Sequence, residues 1–332
     1  MINPFWKNKS VLVTGAGGFI GSHLVERLHV EGARVRAFVR YNSRGDIGLL
    51  NELPDEARKD IEIIGGDIRD SSAILKAAEN IEVVFHLGAL ISIPYSYLRP
   101  REVAESNFIG TLNVLLACQQ HKVARMIHTS TSEVYGTARY APIDEAHPLQ
   151  GQSPYSASKI GADKLAESFY CAYNAPVVTV RPFNTYGPRQ SARAIIPTII
   201  TQVLGSNTLK LGNLEAARDF TFVDDTVDGF IKAAQTAGVE GQTFNLGTGS
   251  EIRVGELAGK IMQLAGRQVE IQKEALRMRP DKSEVMRLIS DNSLARKSLD
   301  WTPHVSLDEG LGRVIEWLRP RLGRYKVGKY EF

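Results

Sequence analysis

Three glycines, Gly15, Gly18 and Gly21, stand at G-x-x-G-x-x-G spacing in Thr14-Gly15-Ala16-Gly17-Gly18-Phe19-Ile20-Gly21. The apolar run Val11–Val13 precedes them. Phe19–Gly32 follows, with Ile20, Leu24, Val25 and Leu28 on one helical face. The first glycine permits a tight turn, the second lets backbone approach a pyrophosphate, and the third lets helix pack closely on strand. Free N–H groups at the helix start then hold an anion. A glycine trio by itself marks only a turn; between a strand and a helix it predicts a dinucleotide site.

The rest of the first half agrees with a βαβ unit. Val35–Val39, Ile61–Ile64, Val83–Leu87, Arg125–Thr129 and Val177–Val180 read as strands. Between them, Ser71–Glu79, Val103–Gln120 and Tyr155–Tyr173 read as helices. Continuous apolar runs are expected of parallel strands covered on both faces. After about Pro188 the alternation fades, and Pro197–Leu204, Val223–Gln235 and Val254–Ala265 look helical. The fold class is α/β: a Rossmann-type doubly wound parallel sheet with a smaller C-terminal α/β part. Residues 1–187 with about 222–247 form the dinucleotide-binding part. About 188–221 with 248–332 form the other.

An acidic residue about 20 positions past the loop marks NAD, through the ribose hydroxyls. This chain has Val39-Arg40-Tyr41-Asn42-Ser43-Arg44 there, with no carboxylate before Asp46. A guanidinium can pair bidentately with a 2′-phosphate. Arg40, with Asn42, Ser43 and Arg44, therefore points to NADP, with NAD as the alternative. Downstream, Asp67 and Ile68 follow the third strand, and Asp67 can accept from an adenine amino group. Leu87, Gly88 and Ala89 follow the fourth strand, where small residues let backbone pass close to the cofactor. His86 reads as a satisfied core histidine.

Composition excludes other classes. Net charge is only +3, too small to suggest a nucleic-acid footprint. No apolar run reaches the ~20 residues that cross a bilayer, so no membrane partner is expected. Cys118 and Cys171 lie in apolar-periodic stretches and read as two reduced core thiols. A reducing cytoplasm is the expected location. The basic, aromatic tail Arg319–Phe332 reads as a solvated or edge-docked segment.

The fifth strand ends in Thr129-Ser130-Thr131-Ser132-Glu133, and Tyr155 and Lys159 follow four apart on one helical face. The ammonium is expected to lower the pKa of the phenol, favouring the phenolate. A phenolate can take a proton from a substrate hydroxyl while hydride leaves the same carbon.

With these motifs the chain resembles the extended short-chain dehydrogenases/reductases, in their nucleotide-sugar epimerase/dehydratase branch. Asn107-Phe108-Ile109-Gly110-Thr111, the run Arg181–Arg189, Arg218–Asp225 and Phe244–Gly247 carry the likeness further. The resemblance is closest to 4,6-dehydratases of GDP-mannose and of UDP- or GDP-N-acetylglucosamine. It implies that Thr131 bonds the sugar 4-oxygen, Glu133 is the base at C5, Tyr155 is the base at the 4-hydroxyl and Lys159 supports it. Ser132 stands where dTDP-glucose dehydratases carry an acidic Asp, so Glu133 is left to return its proton to the departing 6-hydroxyl. Hydride leaves C4 and returns to C6, so the cofactor stays tightly bound and is recycled. Thr129, Pro182 and Asn184 belong to the cofactor wall, with Asn184 also near the sugar. Arg218 and Arg279 face the nucleotide diphosphate, to which guanidinium geometry is suited. Asn107 and Asn245 anchor loops.

Four other chemistries or roles fit the same motifs. They are a 4-epimerase, a dehydratase stopping at the 5,6-ene, a UDP-glucuronate decarboxylase and a non-catalytic cofactor-sensing scaffold. The resemblance also implies a homodimer through a four-helix bundle of Val103–Gln120 and Tyr155–Tyr173.

Overall fold

The computed structural model describes residues 3–329 of the chain. Seven strands form one sheet: β1 (Ser10–Thr14), β2 (Arg34–Arg40), β3 (Glu62–Gly66), β4 (Val83–His86), β5 (Arg125–Thr129), β6 (Val177–Pro182) and β7 (Thr243–Leu246). Their order is β7-β6-β5-β4-β1-β2-β3, and every neighbouring pair is parallel.

Alternation of side chains along each strand feeds two cores. Val11 and Val13 of β1 face one side. There they join Leu24, Val25 and Leu28 of α1 (Phe19–Val30). Phe230 and Ile231 share that core and belong to a later helix, Val223–Gln235. Leu12 faces the other side. It joins Val114, Leu115 and Cys118 of α2 (Gly110–Gln120) and Ala166 and Phe169 of α3 (Pro154–Tyr173). Between β1 and β4 the strand order reverses. The crevice beyond these strand ends is where open parallel sheets bind ligands.

The helix expected over Val103–Gln120 is interrupted. Pro100–Ala104 is α-helical, Glu105–Ile109 is a π turn, and α2 then begins at Gly110. The cause is tertiary. Asn107 Oδ1 accepts from Leu90 N at 2.8 Å, and its Nδ2 donates to Leu90 O at 3.0 Å and to Ser158 Oγ at 2.9 Å. Widening the turn delivers this buried amide to the start of α3.

After β6 the chain builds smaller sheets. Thr208–Leu211 pairs with Glu270–Lys273, and Ala217–Arg218 lies between Ile252–Arg253 and Arg287–Leu288. Helices Ile195–Gly205, Val254–Ala265 and Leu307–Leu318 contribute buried aliphatic faces to the first core. The tail docks at an edge: Arg324 donates to Glu52 at 2.7 Å, and Tyr325 packs half-buried on the core. Residues 330–332 of that tail lie outside the described residues.

One cysteine departs from expectation. Cys118 is buried, and burial pushes its thiol up to about 12. Cys171 is exposed on the outer face of α3 and is no core thiol. Both are free. No described helix is long and apolar enough to cross a membrane.

Candidate active site

The glycine turn has the geometry a pyrophosphate needs. Gly15 adopts φ +70°, and a Cβ there would lie 2.8 Å from Gly88 N and Leu87 O. At Gly17 a Cβ would lie 2.7 Å from Ile47 O; at Gly21 it would lie 2.2 Å from Gly15 O. Only glycine lets the turn, the helix and the β4 loop approach this closely. Gly18 caps α1 without any side-chain hydrogen bond, and the first turn holds no acidic residue. The N–H groups of Phe19, Ile20 and Gly21, in that turn, are therefore left for an anion.

The β4 end is braced beneath this cradle. Thr14 Oγ1 lies 2.7 Å from His86 Nδ1 and accepts from Gly88 N at 3.1 Å. His86 Nε2 lies 3.0 Å from Thr111 Oγ1. Burial holds this imidazole well below its usual range, so it is a neutral structural link. Leu87 and Ala89, half-buried, flank Gly88, and Ile68 packs on Gly110.

At the end of β2, Arg40 is 64% exposed and its Nη2 lies 3.5 Å from Glu102 Oε1. Ser43 and Arg44 are exposed beside it. Asn42 is used inside its own loop: its Oδ1 accepts from Arg44 N and Asp46 N, and its Nδ2 donates to Asp46 O at 2.7 Å. Asp67 is likewise occupied. Arg69 Nη2 donates to its Oδ2 at 2.6 Å and Arg69 Nε to its Oδ1 at 3.0 Å. That hydrogen bonding holds the Asp67 carboxyl below its usual range.

Thr131, Ser132 and Glu133 leave the sheet at the end of β5 in a short 3-10 turn, Ser132–Tyr135. Thr131 Oγ1 caps the turn, accepting from Glu133 N at 3.2 Å. Ser132 is buried, and Glu133 is mostly so. On α3, Ser153 and Ser156 close a reciprocal cap ahead of Pro154, placing Tyr155 in the first turn. Lys159 Nζ donates to the Thr129 carbonyl at 2.6 Å.

The expected electrostatics of this pair are not met. Burial pushes the Tyr155 phenol up from its ordinary value, opposed by the Thr131 hydroxyl and added to by Glu133. Lys159 itself is brought down to about 8 by burial, opposed by Asp163.

A cleft of about 310 Å³ runs from Asn184 to the loop 277–284. Arg218 and Arg279, singled out from sequence, line it; so do Arg193, Arg277 and Glu284, which sequence reasoning missed. The doublet Arg277-Met278-Arg279 was the available signal for Arg277. Arg218 Nη2 lies 3.6 Å from Glu284, and Arg279 Nη1 lies 3.7 Å from Glu133 Oε1. Asn184 Nδ2 and Arg279 Nη1 are buried with no hydrogen-bond acceptor among the described residues. A larger cavity, about 540 Å³, lies against Lys164 and Glu167 of α3. Thr131, Ser132, Glu133, Tyr155 and Lys159 line neither cavity; the smaller cleft is tied to them through Arg279, whose guanidinium reaches Glu133.

Residues 12–314 match the family model described as GDP-mannose 4,6 dehydratase. This chain belongs to that family. It is 35% identical over 93% of its length to the UDP-glucose 4-epimerase of Mycolicibacterium smegmatis, covering 98% of that protein. It is 31% identical over 96% of its length to the dTDP-D-glucose 4,6-dehydratase of Mus musculus, covering 91% of it. A solved dTDP-glucose 4,6-dehydratase double mutant from Streptomyces venezuelae, with NAD bound, superposes with a TM-score of 0.87 at 29% identity. That match covers 95% of this chain and 98% of the other. The chain is thus an enzyme of the nucleotide-sugar dehydratase and epimerase branch of the extended short-chain dehydrogenases/reductases, with their Rossmann-type sheet.

Proposed function

We propose that this enzyme is a 4,6-dehydratase of a UDP- or GDP-linked N-acetylhexosamine. The observation that carries the reading is the placing of Glu133. A mostly buried carboxylate sits two residues past Thr131, and Thr131 and Glu133 both lie close enough to the Tyr155 phenol to act on its ionisation. Epimerisation needs a base only at the 4-hydroxyl. Dehydration needs a second base at C5, and Glu133 supplies one. The N-acetylhexosamine rests on the likeness of residues 130–159 to dehydratases that act on such sugars.

Tyr155 accepts the proton of the 4-hydroxyl, and Thr131 bonds the same oxygen. The residues of the glycine turn would hold a nicotinamide dinucleotide, which would supply hydride acceptance at C4 and hydride return at C6. The 4-keto group acidifies C5–H, which Glu133 removes. Glu133 then gives the proton to the leaving 6-hydroxyl and one water departs; as C6 takes hydride, C5 takes up a proton and Tyr155 gives up the one it took from the 4-hydroxyl, so that atoms and charge balance and the sum is redox-neutral. A carboxyl in an enclosed site can act in both directions. Ser132 beside it donates a hydrogen bond rather than an acidic proton. Asn184, Arg218 and Arg279 hold the sugar and the diphosphate.

The cofactor reading is NADP, supported by Arg40 and by the absence of a free carboxylate beside it; NAD, bound in the Streptomyces relative, is the alternative. Gly15, Gly17, Gly18, Phe19, Ile20 and Gly21 hold the pyrophosphate. Ile68, Leu87, Gly88, Ala89, Thr129 and Pro182 wall the site. Fluorescence titration with both cofactors is expected to favour NADP; tighter NAD binding overturns this. Residues 1–187 with 222–247 form the cofactor part, and 188–221 with 248–332 the substrate part; β7 in the main sheet supports this division. Exposed Leu116, Tyr170 and Tyr173 on α2 and α3 support a homodimer, which sedimentation at micromolar protein tests. Two free cysteines suit a reducing cytoplasm.

The deciding assay incubates the enzyme with UDP-N-acetylglucosamine, GDP-mannose and UDP-glucuronate and reads products by mass. Loss of one water is expected. Loss of carbon dioxide, or an unchanged mass with an inverted C4, overturns dehydration. Glu133→Gln is expected to stop water loss while C4 oxidation survives.

A further inference from the structure

Asp163 lies one turn beyond Lys159 on α3 and is buried at 5% exposure. Its carboxylate is fully engaged. Oδ1 lies 3.0 Å from His128 Nε2. Oδ2 accepts from Ser130 Oγ at 2.8 Å and from Arg181 Nε and Nη2 at 3.1 and 2.9 Å. His128, Thr129 and Ser130 are consecutive at the end of β5. Asp163 binds the outer two, and Lys159 binds the carbonyl of the middle one.

The same network reaches the far side of the Glu133 turn. Arg181 Nη1 donates to Tyr135 Oη at 2.9 Å, and Tyr135 Oη donates to Asn245 Oδ1 at 2.7 Å. The segment carrying Thr131, Ser132 and Glu133 is therefore held before it, at Ser130, and after it, at Tyr135. Both ties lead back to one carboxylate on the helix that carries Tyr155 and Lys159.

We propose that Asp163 is a positioning residue that registers the Thr131–Glu133 turn against Tyr155 and supplies the negative charge beneath Lys159. This rests on the roles assigned above to those side chains. Geometry is the first half of the argument: reacting groups displaced by about 1 Å can cost on the order of 10²-fold in rate. Charge is the second. Around Lys159, Asp163 faces it from α3, His86 from β4 and His128 from β5. Burial keeps both histidines lowered. Asp163 is the one anion in this set that opposes the desolvation of the ammonium.

Two variants separate the parts. Ser130→Ala removes one tie and no charge. It is expected to lower kcat about 10- to 100-fold with KM for the nucleotide sugar within about twofold, and to leave the ionisation of Lys159 unchanged. Asp163→Asn removes the charge. Competitive acetylation of Lys159, followed by mass spectrometry across pH, is expected to give a midpoint near 8 in the wild type and a lower one in Asp163→Asn. Asp163→Glu is expected to restore it. An unchanged midpoint in folded Asp163→Asn, or wild-type kcat in Ser130→Ala, overturns the proposal. If Asp163→Asn fails to fold, Ser130→Ala and Asp163→Glu decide. Lack of turnover of any nucleotide sugar by the wild type counts against the dehydratase reading alone, because the Lys159 midpoints do not depend on it.

Discussion

Arg279 Nη1 lies 3.7 Å from Oε1 of Glu133, so the guanidinium assigned to the substrate diphosphate also faces the carboxylate assigned to C5. Nη1 is buried and has no hydrogen-bond acceptor among the described residues. A diphosphate oxygen entering the cleft supplies one, and it competes with Glu133 for the same charge. Arg279→Met is therefore expected to weaken binding of UDP or GDP about 10-fold or more, as loss of one charge-assisted hydrogen bond implies. Isothermal titration with the nucleoside diphosphate measures this without turnover. Undiminished affinity limits Arg279 to Glu133.

Gly21→Ala tests the phosphate cradle. The new Cβ would lie 2.2 Å from Gly15 O and 3.0 Å from Ala16 Cα, both backbone atoms. The helix start must move away from the turn that it completes. Overpacking of this kind costs about 1–3 kcal/mol, and it separates the N–H groups that share the anion. A lower melting temperature and at least a tenfold weaker cofactor Kd are expected. A variant that binds cofactor as the wild type does would remove the cradle's role.

His23 makes stability depend on pH. Its Nε2 lies 3.0 Å from Pro188 O, and burial, aided by Arg189, lowers its pKa from 6.5 to about 4. Above pH 6.5 neither folded nor unfolded chain carries this proton. Between 6.5 and 4 the unfolded chain binds it and the folded chain does not. Stability therefore falls as pH falls through this window, and below about 4 His23 costs nothing further. Buried His86 and His128 are lowered in the same direction and add to the loss. His23→Gln is expected to shrink the fall in melting temperature between pH 7 and 4.5. An unchanged fall assigns the effect to the other two.

Parallel strands announce themselves because both faces are covered, which is why β1, β4 and β5 were legible as apolar runs. Val223–Gln235 and Val254–Ala265 were legible to the residue, since each has one strongly apolar face. The π turn at Glu105–Ile109 was not, because it is set by the Asn107 bonds to Leu90 and Ser158 rather than by local preference. The candidate set Thr131, Glu133, Tyr155 and Lys159 was read as residues and spacing. Its charges were not: the Tyr155 phenol is governed by burial, and Lys159 by burial opposed by Asp163, neither of which the spacing reveals. Arg279 meets Glu133 only through the path of the loop 277–284. The two-residue strands of the C-terminal half are too short for any periodicity.

Tyr155→Phe separates catalysis from cofactor binding. The substitution keeps the ring's buried volume and removes only the hydroxyl. Burial raises the phenol, so its proton is tightly held until a substrate hydroxyl and the charges around it assemble. Without the oxygen nothing accepts the 4-hydroxyl proton. Turnover is expected to fall at least 1000-fold, within reach of general-base effects of about 10²–10⁴. The Kd for the dinucleotide, read by fluorescence titration, is expected to change no more than about twofold, because the pyrophosphate is held at Gly15–Gly21. A Tyr155→Phe enzyme with wild-type turnover would place the base elsewhere; one that loses cofactor as well would make Tyr155 a binding residue first.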